Sequence, residues 1–223
     1  NFIDGGPWRI LNDAIENLSE YKKDYLIIAI VYKKLEKKYE NVINLICKNS
    51  KISWLHRIFY EKFEFNEFSK SIIFDIDIWI SMHDITPRVK AKKIITYYHN
   101  ASPFWKPKIY QIFLSPVTAL FMLFYLKICA MNIYKNDTLI VQQNWMKQKL
   151  LKKFPKLNIV VCRPISIKRN EFNLKEKIRN FTKYEKLSMK PFLICPTTPR
   201  VFKNIETAIK AAEKIKGYNL LIT

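Results

Sequence analysis

Short apolar runs and amphipathic helical segments alternate along most of this chain. Apolar runs predict strands at residues 25–31, 42–47, 76–81, 93–98, 138–142 and 157–162. Uninterrupted runs of this kind are typical of parallel strands that are covered on both faces. Between them, Trp8, Leu11, Ile15 and Leu18 form one helical stripe, and residues 144–154 predict a further helix. This alternation predicts an α/β fold with a Rossmann-like, doubly wound parallel sheet.

The last residues, 191–223, repeat the pattern once. Residues 191–196 form an apolar run bounded by prolines, residues 218–222 form a second one, and a helix with one apolar face lies between them. That face consists of Ile205, Ala208, Ile209, Ala212 and Ile215. Residues 166–190 are charged with few apolar anchors. We therefore predict a domain at 1–165, a linker at 166–190 and the first βαβ unit of a second domain at 191–223. Because a lone βαβ unit cannot bury both faces of its strands, we expect a longer protein.

One strongly apolar segment, residues 112–134, has two interpretations. Pro116, Lys127 and Asn132 interrupt it, which favours a buried helix of the α/β core over a helix that spans a membrane. An interfacial helix is the alternative, because the neighbouring residues 104–108 combine aromatic and lysine side chains suited to a headgroup boundary.

The net charge indicates which kind of partner the chain binds, and the cysteines indicate its compartment. The chain has 223 residues and a formal net charge of +20, but its cations are spread out, which argues against nucleic-acid binding. Such a surface favours anionic partners, including nucleotide phosphates and acidic lipid headgroups. Cys47, Cys129, Cys162 and Cys195 lie apart in apolar runs, which predicts reduced core residues and a cytoplasmic chain.

Polar residues follow two neighbouring predicted strands. His99 comes directly after the strand at 93–98, and open α/β sheets bind ligands at the carboxyl ends of their strands. His99 could orient a sugar hydroxyl, Asn100 and Ser102 add polar contacts, and Trp105 offers a stacking surface. A histidine that only caps the loop is the alternative. His83 follows the strand at 76–81 in the same way, with a simple Asx turn at Asp84 as its alternative.

Two further groups could hold an anion. Gly5 and Gly6 open the first helix, where backbone N–H groups are unpaired, although a tight turn would also explain them. Arg200 and Lys203 flank the turn before the last predicted helix and could together balance a diphosphate, with solvated cations as the alternative. No recognised metal-ligand spacing occurs, so we predict no metal cofactor.

Together these segments resemble the retaining glycosyltransferases of family 4, which have the GT-B architecture of two Rossmann-like domains. Residues 4–9, with Gly5 and Gly6, look like that family's glycine-rich loop. Residues 81–86 and 98–104 look like its acceptor-side strand ends, and residues 141–146 are similar to the segment leading toward the cleft between the domains. Residues 199–206 resemble the opening of its nucleotide-sugar domain.

The resemblance implies transfer of a hexose from a nucleotide-sugar donor to a saccharide or lipid-linked acceptor, with retention and without a metal. Arg200 and Lys203 would neutralise the donor diphosphate, Gly5 and Gly6 would approach it, and His99 would be catalytic by orienting hydroxyls. Cell-surface polysaccharide synthesis and peripheral contact with an anionic membrane on its cytoplasmic face are further expectations.

The chain departs from the family pattern in several places. Thr198 stands where the family usually has its arginine, and the family's paired glutamates would lie beyond Thr223. Its first strand would precede Asn1. We therefore expect no turnover by residues 1–223 alone. Two alternatives remain: a basic protein that binds nucleic acid or anionic membrane, and a noncatalytic relative with a degenerate site.

Overall fold

Every pair of neighbouring strands in the described part of the chain is parallel. The computed structural model describes residues 5–48, 54–164, 191–197 and 203–222. Its strands are β1 Ile28–Tyr32, β2 Asn44–Lys48, β3 Ile78–Ser81, β4 Lys93–Tyr98, β5 Thr138–Val141, β6 Ile159–Val161, β7 Phe192–Cys195 and β8 Asn219–Ile222. Its helices are α1 Gly5–Ser19, α2 Glu36–Tyr39, α3 Trp54–Phe59, α4 Phe65–Ser71, α5 Ile109–Leu114, α6 Pro116–Ala130, α7 Asn144–Lys153 and α8 Ile205–Glu213. The predicted α/β class is confirmed.

The chain divides into two compact units. The first comprises Asn1–Phe104 and Met122–Pro164, and the second comprises Trp105–Phe121 and Ile165–Thr223. The predicted linker at 166–190 lies outside the described residues, and the predicted domain division stays a prediction.

In the first unit, β1 and β2 form a two-stranded sheet that is covered by α1. Ile15 of α1 is buried with Val31 of β1, and Leu11 packs against the same cluster, so the predicted helical stripe faces this sheet. Tyr39, at the end of α2, is buried as well and donates a hydrogen bond of 3.0 Å from its hydroxyl to Oδ1 of Asn12. This bond pairs two polar groups that burial would otherwise leave unsatisfied.

The main sheet of the first unit has the order β3-β4-β5-β6. Its two central strands have fully buried residues, among them Thr96 and Tyr98 of β4 and Leu139 and Val141 of β5. This is compatible with a Rossmann-like fold. The described strands form separate sheets rather than the single doubly wound sheet that the sequence predicts, because β1 and β2 pair only with each other. The connection from β3 to β4, residues 82–92, contains no helix, so strands and helices do not alternate everywhere.

Helices α5 and α6 replace the single helix predicted near residues 112–134. Ser115 has an extended φ of −150° and ends α5, and Pro116 opens α6 at a position where its missing N–H costs nothing. Met122, Tyr125 and Cys129 are buried, whereas Val117, Leu120 and Leu123 are exposed. The prediction of a buried helix is thus wrong for one of its two faces.

Among the described residues, one helical stretch, Pro116–Lys135, is long and apolar enough to cross a membrane, and 28% of it is buried.

The expectation of four core cysteines also needs correction. Cys129 is buried, but Cys162 is exposed and Cys47 and Cys195 are only partly covered.

The described part of the second unit includes the predicted βαβ motif. Strands β7 and β8 pair in parallel, with Leu193 opposite Leu220, and α8 connects them. The residues of β7 alternate between exposed and half-buried, with Phe192 and Ile194 exposed. One face of this small sheet is therefore uncovered by the described residues, as expected for two strands and one helix.

Candidate functional site

The candidate site lies at one edge of the four-stranded sheet. Because β3, β4, β5 and β6 are all parallel, their carboxyl ends meet at the same edge. The residues that follow these strands are polar or charged: His83 after β3, His99 and Asn100 after β4, Gln142 and Gln143 after β5, and Arg163 after β6. This is the edge at which open α/β sheets bind ligands.

Asp84 organises the part of this edge formed by β3 and β4. Its carboxylate is buried, and Oδ1 accepts hydrogen bonds from the backbone N–H groups of His99 at 2.7 Å and Asn100 at 3.0 Å. Oδ2 accepts a bond of 2.9 Å from the Tyr125 hydroxyl on α6. Three donors thus satisfy a carboxylate that could not otherwise be buried.

Backbone strain accompanies this network. Asp84 has a φ of 66°, in the left-handed region that few residues other than glycine adopt, although Asp and Asn do so more readily than most. Such a conformation costs on the order of 1–3 kcal/mol and persists where the surroundings fix it. The three hydrogen bonds to the Asp84 carboxylate supply that restraint.

His99 is held beside the same carboxylate. Its Nδ1 lies 3.3 Å from Oδ1 of Asp84, an ion-pair distance, and its side chain is only 12% exposed. The loop continues with Asn100, whose Oδ1 accepts a hydrogen bond of 2.9 Å from the backbone N–H of Ser102. His99 and Asn100 are therefore fixed by Asp84, and Asn100 also by a contact within its own loop.

His83 is paired with a carboxylate that the sequence analysis did not identify. Its Nε2 contacts Oε1 of Glu61, which is 3% exposed, and its Nδ1 lies 3.3 Å from the Ser81 hydroxyl. Ser81 itself donates to the carbonyl of Ile85 at 2.7 Å. Glu61 belongs to a π-helical turn, Tyr60–Glu64, a type of turn that is frequent at functional sites. Both His83 and His99 thus have a buried acidic partner.

Two buried tyrosines, Tyr97 and Tyr98, end β4 directly before this loop. Burial raises the pKa of Tyr98, and the nearby Cys129 thiol and Asp84 carboxylate raise it further. Burial also raises the pKa of Tyr97, although a hydrogen bond with Gln142 partly offsets this. Both hydroxyls remain neutral at physiological pH, so these two tyrosines contribute no charge to the site.

An open cavity of about 460 Å³ lies at the other half of this edge. It is lined by Gln142 and Gln143 at the end of β5 and by Arg163 and Pro164 at the end of β6. Gln142 also hydrogen bonds Tyr97, which connects this cavity to the end of β4. An exposed guanidinium beside two amides can bind an anionic or polyhydroxyl ligand.

The other predicted residues lie elsewhere in the chain. Gly5 and Gly6 are in the first turn of α1, and a Cβ atom added to Gly6 would meet nothing within 4 Å. Trp105 belongs to the second unit. Lys203 is exposed, directly before Asn204, which has a φ of 51° at the start of α8. Arg200 lies outside the described residues. The roles of these residues stay predictions.

Sequence reasoning missed Glu61 and Arg163 as members of the site, and it considered Asp84 beside His83 only as a possible Asx turn. Arg163 follows a predicted strand, so the rule about carboxyl ends would have identified it. Glu61 carries no local signal, because it is 22 residues away from His83 and meets it only in the fold.

Comparison with protein-family models, with curated proteins and with solved structures found no match. Within the described ranges, no group of three or more His, Cys, Asp or Glu side chains could hold a metal ion. The prediction of no metal cofactor remains untested.

Proposed function

We propose that this chain contributes the acceptor-side domain and the beginning of the donor-binding domain of a retaining GT-B glycosyltransferase. The enzyme would transfer a hexose from a nucleotide sugar to a saccharide or lipid-linked acceptor in polysaccharide synthesis, on the cytoplasmic face of a membrane. One observation carries the proposal: a buried carboxylate, Asp84, holds His99 and Asn100 at the carboxyl edge of a parallel sheet. A loop fixed in this way is preorganised for a polar ligand.

The proposed role of His99 is to orient a sugar hydroxyl. The ring lies 3.3 Å from the Asp84 carboxylate through Nδ1, and an imidazole held in this position can accept a hydroxyl proton when it is neutral. When protonated, the same ring donates to developing negative charge. Asn100 and Ser102 belong to the same loop and would add neutral contacts, as would His83 on the neighbouring strand end.

Lys203 is the proposed contact of the second unit with the donor diphosphate. It is exposed and precedes α8, so a phosphate placed there would meet both the ammonium group and the positive end of the helix dipole. Arg200 would be its partner in this role, and Gly5 and Gly6 stay the proposed glycine-rich loop of the first unit. Stabilising a leaving diphosphate in this way requires no metal ion.

Binding of nucleotide sugars to the complete protein tests the donor assignment. We expect Lys203→Ala to weaken binding by about 1–3 kcal/mol in isothermal titration calorimetry, the usual range for a charge-assisted contact. Lys210→Ala is the matched control, because Lys210 is an exposed lysine on α8 itself and should leave the affinity unchanged. Equal affinities in both variants would contradict the donor site.

Hexose transfer tests the role of His99. We expect His99→Ala to reduce kcat/KM by about 10²–10⁴, the usual contribution of a positioned acid or base, with little change in donor affinity. Lys152→Ala, which removes an exposed cation from α7, should leave kcat/KM unchanged. Full activity of the His99 variant would contradict the proposed role of His99 in orienting a hydroxyl.

A further inference from the structure

Helix α5 and the beginning of α6 expose a group of large apolar side chains. Ile109, Phe113 and Leu114 are 76%, 81% and 69% exposed, and Val117 and Leu120 are 80% and 57% exposed. We define these five residues as the α5–α6 apolar face. All of them belong to one continuous segment of the second unit, Trp105–Phe121. Single exposed apolar residues are ordinary, but a cluster of this size marks an interaction surface.

Helix α6 is held in the protein by its opposite face. Met122, Tyr125 and Cys129 are spaced three to four residues apart and are buried, and the Tyr125 hydroxyl donates to Asp84. A helix with one face fixed in this way cannot expose its whole circumference to lipid, as a single spanning helix must. The exposed residues therefore suit a helix that stays packed on the protein by one face and contacts only the surface layer of a membrane by the other.

The charges around this face identify the chemistry of its partner. No Asp or Glu occurs between Asp84 and Asp137, and that stretch contains eight Lys and Arg residues. Lys106 and Lys108 immediately precede α5 and are exposed. Apolar side chains beside lysines, with no nearby carboxylate in the sequence, complement an anionic lipid surface. A partner protein would require a complementary patch of carboxylates.

We propose that the α5–α6 apolar face inserts into the interfacial region of an anionic lipid bilayer. Phe113, Leu114 and Val117 enter the acyl boundary, and Lys106 and Lys108 contact lipid phosphates. The apolar insertion and the lysine contacts both add to the membrane affinity. A small apolar surface alone binds membranes only marginally, and an electrostatic contribution makes the binding stable. This docking surface requires no nucleotide sugar, so its test is independent of the proposed transferase activity.

Flotation of the 223-residue chain with lipid vesicles tests the proposal. We expect binding to vesicles containing about one third phosphatidylglycerol, and at least about tenfold weaker binding to pure phosphatidylcholine. Phe113→Ser with Leu114→Ser should reduce partitioning to the anionic vesicles by about tenfold or more. The matched control is Ile73→Ser with Phe74→Ser, which removes two exposed apolar residues beyond α4 and should bind like the wild type.

A second pair of variants separates charge from apolar contact. Lys106→Gln with Lys108→Gln should weaken binding by about fivefold per lysine, whereas Lys152→Gln with Lys153→Gln, on α7, should not. Equal loss in both lysine pairs would reduce the effect to net charge and overturn the assignment to this face. Three other results would also overturn the proposal: no binding, vesicle association that resists high salt and alkaline carbonate, or self-association in sedimentation velocity that the Phe113 and Leu114 substitutions abolish.

Discussion

Replacing Asp84 by Asn tests whether one carboxylate holds the candidate site together. Asn has the same size and tolerates the φ of 66°, so the substitution removes the charge without adding backbone strain. Three donors lie at 2.7, 3.0 and 2.9 Å from the carboxylate. Hydrogen bonds to charged groups contribute about 1.5–3 kcal/mol and neutral ones about 1 kcal/mol, so each contact weakens by roughly 1 kcal/mol. We expect a total loss of about 2–4 kcal/mol.

Urea unfolding of the 223-residue chain, followed by far-UV circular dichroism and tryptophan fluorescence, measures this loss. Asp77→Asn is the matched control, because Asp77 forms an exposed ion pair of 2.7 Å with Lys92. An exposed pair of this kind contributes at most about 1 kcal/mol. The reasoning fails if the two substitutions lower the free energy of unfolding equally.

A double-mutant cycle tests whether the stability loss in the Asp84 variant includes the loss of its contact with Tyr125. Tyr125→Phe removes only the donor from α6, and we expect it to cost about 1–2 kcal/mol. In combination with Asp84→Asn, the two losses should be non-additive by about 0.5 kcal/mol or more, since both remove the same contact. Strict additivity would show that Asp84 and Tyr125 act separately. The backbone amide resonances of His99 and Asn100 should shift in the Asp84 variant.

Three further predictions concern the buried groups. Because burial raises the pKa of Tyr98, its hydroxyl keeps the proton in the native state, whereas the same hydroxyl ionises near pH 10 in the unfolded chain. The free energy of unfolding is therefore unaffected below pH 10 and falls above it by up to about 1.4 kcal/mol per pH unit. Tyr98→Phe should make this decline, measured by urea unfolding between about pH 9 and 11, shallower. Leu150→Ala should cost about 2–5 kcal/mol by creating a cavity, whereas Leu26→Ala, at an exposed site, should cost less than about 0.5 kcal/mol in the same assay. Glu61→Gln should cost about 1–3 kcal/mol in urea unfolding because it removes the charged partner of His83, and an unchanged midpoint would contradict the pairing.

The two histidines illustrate how much of the site the sequence could predict. His83 and His99 follow apolar runs that become β3 and β4, so their place at one edge of the sheet follows from parallel pairing. Their acidic partners could not be predicted equally well. Asp84 is adjacent to His83 in sequence, yet it binds the backbone of the His99 loop. Glu61 reaches His83 from a π-helical turn, a local deviation that no apolar period specifies.

The apolar segment before β5 shows a different limit of sequence reasoning. Its composition predicts a helix, and Pro116 marks the place where a new helix begins. Nearly every position in α6 is apolar, so periodicity could not indicate which side faces the protein. The contact between Tyr125 and Asp84 decides that side and leaves Val117 and Leu120 exposed.

By itself the sequence determined where the strands lie and where α1, α7 and α8 lie, because β-branched runs and helical stripes are local patterns whose energetics depend on neighbouring residues. It also determined the parallel α/β class, since apolar runs without alternation require cover on both faces. Only the tertiary structure decided that β1 and β2 pair apart from the four-stranded sheet, which buried carboxylates meet His83 and His99, and which face of α6 stays exposed. Those features depend on contacts between residues far apart in the chain, and the free energy of such contacts is set by burial and geometry that no local pattern encodes.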